Sequence, residues 1–157
     1  MFSFPLLEGS NQLDKPNTVV ITGAVARKIF GVESPLGKTL ELHNQFGILP
    51  CRVTAVLKDI PAQSYIRFSC LFPIETLNNV GYTAGSDWAR LDTWGNDSYS
   101  NYVLLSDPLR AAAVAVQASR LLVKNDPLYK KEDGIVRLQS VGEMHLGGSM
   151  MTMRGRI

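Results

Sequence analysis

The chain has 157 residues and is poor in the residues that usually announce chemistry. It has two cysteines, Cys51 and Cys70, and two histidines, His43 and His145. Neither cysteine belongs to a Cys-x-x-Cys pair and the histidines stand far off, which excludes the common zinc patterns. Long apolar runs are missing too. A membrane-spanning helix needs roughly 18 uninterrupted apolar residues, and the most apolar stretch, 109–123, is broken by Arg110, Gln117, Ser119 and Arg120. The opening "MFSFPLLEGS" has no basic segment ahead of its apolar residues, so it does not read as a secretory signal. Excess charge is lacking as well: 16 basic residues against 14 acidic ones leave +2, scattered from Arg27 and Lys28 to Arg154 and Arg156. A nucleic-acid binder concentrates its cations in a stripe that displaces counterions from phosphates, and none is present. What remains is an ordinary globular composition, 45% apolar and 19% charged, in a chain long enough for one domain with its own core.

The patterning predicts an α+β fold. The β-branched run "NTVVIT" (17–22) reads as a buried strand. Thr22 stands where a cap belongs for the helix "GAVARKIF", whose Val25, Ala26, Ile29 and Phe30 share one face, and Gly31 sits at its C-terminal cap position. "SPLG" (34–37) has the proline and glycine of a type I turn. In "KTLELH" (38–43) Thr39, Glu41 and His43 alternate with Leu40 and Leu42. In "PCRVTAVLKD" (50–59) Cys51, Val53, Ala55 and Leu57 alternate with Arg52, Thr54 and Lys58. "IRFSCLFPI" (66–74) returns with Phe68, Cys70 and Phe72 inward, which predicts a meander of mostly antiparallel strands. A short helix and a surface excursion follow, with Trp88 and Trp94 as anchors. "YSNYVLLS" (99–106) reads as a strand, and Asp107 with Pro108 opens a helix as cap and first residue. Along it Arg110, Gln117, Arg120 and Lys124 form a polar stripe, leaving the alanines, Val114, Leu121 and Leu122 to pack. "IVRLQSV" (135–141) reads as a final strand.

The nearest thing to a catalytic motif is "GVESPLGKT" (31–39). A phosphate-binding loop needs glycine, four residues, then Gly-Lys-Ser/Thr, entered from a strand and leading into a helix. Here five residues separate Gly31 from Gly37, and the loop leaves a helix to enter a strand. It reads as a helix end and a turn. His43 faces solvent on its strand; His145 has only Glu143 near it, short of a proton-transfer pair with an orienting group. Asp87, Asp92 and Asp97 lack the alternate spacing and central glycine of a calcium loop. "NDS" (96–98) fits a glycosylation sequon too common to carry weight, and no Gly-x-Ser-x-Gly elbow occurs. No catalytic, cofactor or metal residue is assigned. If 50–58 and 66–73 form a hairpin, Cys51 faces Cys70; both then read as buried free thiols, or as a cross-strand disulfide if their Cα atoms come within about 7 Å.

Six segments, in order, carry a resemblance: "MFSFPLLEGS", "NTVVITGAVARKIFG", "SPLGKTLEL", "CRVTAVLKDIPAQSYIRFSCLFPIETL", "WGNDSYSNYVLL" and "VGEMHLGG". Together they resemble the extracytoplasmic domain of MacB/FtsX-type ABC transporter permeases, in the form common in Bacteroidetes. The resemblance implies a single periplasmic domain over 1–157 on the bacterial inner membrane. Its β-rich inserted part spans about 19–74, and a strand–helix–strand piece of a porter-like α/β part spans about 99–141. It implies no enzyme and no cofactor. Its partners are the transmembrane helices of the same permease, a separate ATPase subunit or domain, and a periplasmic protein or substrate. The family's domain begins well upstream of "MFSFPLLEG", and "SMMTMRGRI" is a poor match to its usual end. An excised or truncated domain is therefore expected, with an incomplete porter-like part and a sheet edge able to pair two copies. A stand-alone ligand- or peptide-binding module, with a pocket near Trp88 and Trp94, is the alternative.

Overall fold

The computed structural model describes residues 3–10, 13–92, 94, 98–126 and 135–142. The chain divides into two compact units, residues 1–91 and 92–157.

The first unit is built on one long strand. β4 (Gly47–Leu57) is flanked on one edge by β2 (Thr18–Thr22), which runs parallel to it. Its other edge is shared end to end by two antiparallel strands, β3 (Thr39–Asn44) along Gly47–Arg52 and β1 (Leu6–Gly9) along Ala55–Leu57. β5 (Cys70–Leu71) completes the sheet antiparallel to β2. The pairing is mostly antiparallel, but the order is not a meander. β2 takes the place beside β4 that the expected hairpin gave to 66–73, with Ile21 opposite Cys70 and Val20 opposite Leu71. All five residues of β2 are buried, as its β-branched run demands of a strand with neighbours on both edges.

One extra residue decides which side chains are inside. β2 and β4 run in step through Thr18–Arg52 and Val19–Val53, but Val20 then pairs with Ala55, leaving Thr54 unmatched. A bulge of this kind reverses the parity of every residue beyond it. Before it, Leu49, Cys51 and Val53 share a cluster with Val19 and Ile21; beyond it Val56 joins that face, while Ala55 and Leu57 turn to the opposite one with Val20. The expected single face for Cys51, Val53, Ala55 and Leu57 is thus split in two. The same holds on the returning segment, where Phe68 packs with Leu57's cluster and Cys70 and Phe72 with Cys51's. Both sheet faces carry core, and each buried aliphatic side chain contributes about 1.5–3 kcal/mol.

α1 (Gly23–Phe30) covers the first face with Val25, Ala26 and Phe30, while Ile29, expected on the same side, is 53% exposed. Strand β3 keeps the predicted alternation: Leu40 and Leu42 half-buried, Thr39, Glu41 and His43 exposed. The tip of the β3–β4 hairpin is held by Asn44, which accepts from the Phe46 and Gly47 N–H groups and donates to the Tyr82 carbonyl of the short α2 (Val80–Thr83). A 3-10 turn at Asp87–Ala89 buries Ala89, whereas Trp88 is 42% exposed. Trp88 is therefore not the anchor its size suggested.

In the second unit, Asp107 accepts from the Leu109 N–H and Pro108 starts a 3-10 turn that runs into α3 (Ala111–Asn125), as the cap signal predicts. No residue of α3 is fully buried; Ala111, Val114, Ala115, Ala118 and Leu122 form its half-buried stripe, and Leu121 is exposed. Segment 135–142 is tied to the helix by Ser119, whose hydroxyl accepts from the Val136 N–H at 2.8 Å. The expected strands 99–106 and 135–141 form no ladder among the described residues. Their β-branched content suits a strand, but a strand exists only where a second backbone pairs with it. Trp94, the other expected anchor, is 53% exposed.

Candidate functional site

The Gly31–Thr39 loop is occupied by its own contacts. Gly31 ends α1 by donating to the Arg27 carbonyl, and the following turn is Pro35–Lys38, closed by the Lys38 N–H on the Pro35 carbonyl at 3.0 Å. Gly37 stands third in that turn with φ +76°, which makes it the type II arrangement one residue later than the expected type I turn. Lys38, the residue a phosphate would need, is ion-paired with Glu33, and its ammonium lies 5.4 Å from the centre of the Phe30 ring. The hydrogen bond from Lys38 and its positive charge hold the Glu33 carboxyl below the usual carboxylate range. The loop follows a helix and precedes β3, so no helix N-terminus faces it.

At the other end of α1 the cap comes from far away. Thr22 makes no side-chain capping bond. Asp59, just past β4, accepts from the Ala24 N–H at 2.6 Å through one carboxylate oxygen and from the Arg27 guanidinium through the other. The Arg27 hydrogen bond first, and the Ala24 N–H second, hold the Asp59 carboxyl low. Glu8 of β1 accepts from the Ser34 hydroxyl, which fastens β1 to the loop after α1.

The two cysteines are free. Each packs in the same cluster, but on β4 and β5 with β2 between them, so the facing geometry a disulfide requires does not arise. Burial pushes both thiols above their ordinary range. His43 contacts the Glu41 carboxylate at 3.0 Å, and both are exposed. Asp87 and Asp92 are exposed; Asp97, Asn96, Glu143 and His145 lie outside the described residues. Among the described residues no group of three or more acidic, histidine or cysteine side chains could hold a metal ion.

A cleft of 310 Å³ opens at the bulge, and no motif in the sequence marks it. Ser10, Asp14, Lys15, Thr18, Leu36, Gly37, Arg52, Val53 and Thr54 line it. Neither Trp88 nor Trp94 takes part. In the sequence pattern Arg52 is one more residue on the polar side of its strand. Its neighbours follow from the β2–β4 pairing, which puts Thr18 beside it.

The model of one protein family, the MacB-like periplasmic core domain, matches residues 1–121. The chain belongs to that family. MacB-like periplasmic core domains are extracytoplasmic parts of ABC transporter permeases, and among the described residues no helix is long and apolar enough to cross a membrane. The fold agrees: the crystal structure of a domain assigned to a permease protein from Porphyromonas gingivalis is similar at a TM-score of 0.58 and 22% identity. The likeness covers 92% of this chain and 63% of that one, so the chain spans less than two thirds of that domain's length. None of the curated proteins matches the chain.

Proposed function

We propose that this MacB-like domain is a non-catalytic coupling element, relaying movement driven by a separate cytoplasmic ATPase to a periplasmic protein or substrate. The family match over residues 1–121 carries the reading. The occupied Lys38 supports it, since the one nucleotide-like motif is a folded helix end with its lysine already ion-paired. We read residues 19–74 as the β-rich inserted part and 99–141 as a piece of the porter-like part. The boundary between compact units, at Leu91 and Asp92, falls between those ranges.

Coupling requires that the domain move with the nucleotide cycle of the whole permease. A spin label at Lys28, exposed on α1, is expected to change its distance to a label on the membrane part between nucleotide-free and ATP-trapped permease. An unchanged distance would sink the coupling role. Location has a separate test: Lys28→Cys should react with a membrane-impermeant thiol reagent in cells with a permeabilised outer membrane and an intact inner one.

A further inference from the structure

We propose that the cleft at the Thr54 bulge binds a small oxyanion-bearing ligand, its carboxylate or phosphate group held between Arg52 and Lys15. The inference stands on the cleft alone and does not depend on the permease reading.

The charges around α1 give the contrast. Arg27 is committed to Asp59 and Lys38 to Glu33. Arg52 and Lys15 share the lining of one cleft, and among the described residues neither forms an ion pair. The fold brings them together from a strand and the bend that precedes its neighbour. Arg52 stands in register between Thr18 of β2 and Thr39 of β3, on the side of β4 opposite Cys51 and Val53. Lys15 lies in the bend before β2, where the Thr18 hydroxyl donates to the Lys15 carbonyl at 2.7 Å and Asn17 takes φ +59°.

Space is kept open beside the guanidinium. A Cβ built on Gly37 would stand 3.5 Å from an Arg52 nitrogen, so the absence of a side chain there leaves that flank clear. Ser10, Thr18 and Thr54 complete the polar lining. The planar fork of an arginine matches two oxygens of one carboxylate or phosphate, and a nearby ammonium adds a point charge. Asp14 is the one acid in the lining, which leaves two cations against one anion. A volume of 310 Å³ stands at the low end of ligand sites, about 300–1,000 Å³, and suits a ligand of few heavy atoms.

The test is an NMR titration of the 157-residue chain with inorganic phosphate and, separately, with succinate, against sodium chloride at matched ionic strength. Saturable shifts are expected at the Thr18, Gly37, Arg52 and Thr54 amides. Arg52→Gln should weaken binding about tenfold or more. Asp14→Asn should tighten it, and Lys58→Gln, an exposed lysine outside the cleft, should leave it unchanged. Arg52→Lys keeps the charge but loses the fork, and should weaken binding while leaving the spectrum of a folded chain. Saturation by phosphate alone or succinate alone names the source of the oxyanion and supports the site. Shifts equal to those in chloride, or full affinity in Arg52→Gln, would overturn it.

Discussion

At the scale of single residues, the side chains that matter most are those whose partners lie far off in sequence. Asp59 shows this. Its carboxyl is held low in the folded chain by Arg27 and the Ala24 N–H. Its contribution is therefore present above the unfolded value of about 3.9 and is lost as the pH falls through the lower folded value. Asp59→Asn should unfold at lower urea than the parent at pH 7, and the gap should narrow toward pH 3; a gap constant with pH would contradict the assignment. The group is exposed, so the effect is modest. Burial decides the larger costs. Ile21→Ala, at a position with no exposed surface, should cost about 2–5 kcal/mol in chemical denaturation, whereas Leu121→Ala on α3 should stay within about 0.5 kcal/mol. The cysteines are expected to give the same melting temperature with and without reductant, and Cys70, only half-buried, should alkylate before Cys51. Local signals were legible at this scale: Gly31 closes its helix and Asp107 caps one as read. Thr22 looks like a sufficient cap because nothing local reveals Asp59, which reaches the Ala24 N–H from 35 residues further along the chain.

Among the elements, β4 carries the instructive difference. Alternation in 50–59 located the strand and oriented it correctly up to Val53. It failed at Thr54 because a bulge leaves no mark in a two-residue pattern when the residues beyond it are also apolar. Ala55 and Leu57 suit either face, so both readings bury them. Deleting Thr54 would remove the unmatched residue and restore strict alternation with Ala55, Val56 and Leu57 on the faces they now occupy, so the deletion variant should keep its dispersed NMR signals, as should Thr54→Ser. The join between β1 and β3 on β4's edge is similarly tight. Gly9 has φ +82°, and a Cβ there would lie 2.3 Å from the Thr54 carbonyl oxygen, against backbone that cannot swing aside. Gly9→Ala should destabilise by more than the roughly 1 kcal/mol of a left-handed backbone alone, read as a lowered urea midpoint. The pairing of β5 with β2 was not legible, because a hairpin between neighbouring runs and a strand inserted from earlier in the chain share the same hydrophobic pattern.

For the molecule as a whole, family membership was legible where topology was not. The order of six segments sufficed for the first; the second needs to know which strands meet. A fragment ending at Leu91 should keep the mixed sheet and its cooperative unfolding, since every strand pairing among the described residues lies within it. Magnesium ATP should leave the melting temperature of the chain unchanged, with or without Lys38→Ala. The capping of α1 by Asp59 also orders events in time. An eight-residue helix is too short to persist by itself in water, and the group that finishes its first turn arrives only when the far end of β4 has been laid beside β2. Helix α1 should then set late, after the strands have met. Weakening that cap should leave the rate of folding almost untouched and show up as faster unfolding.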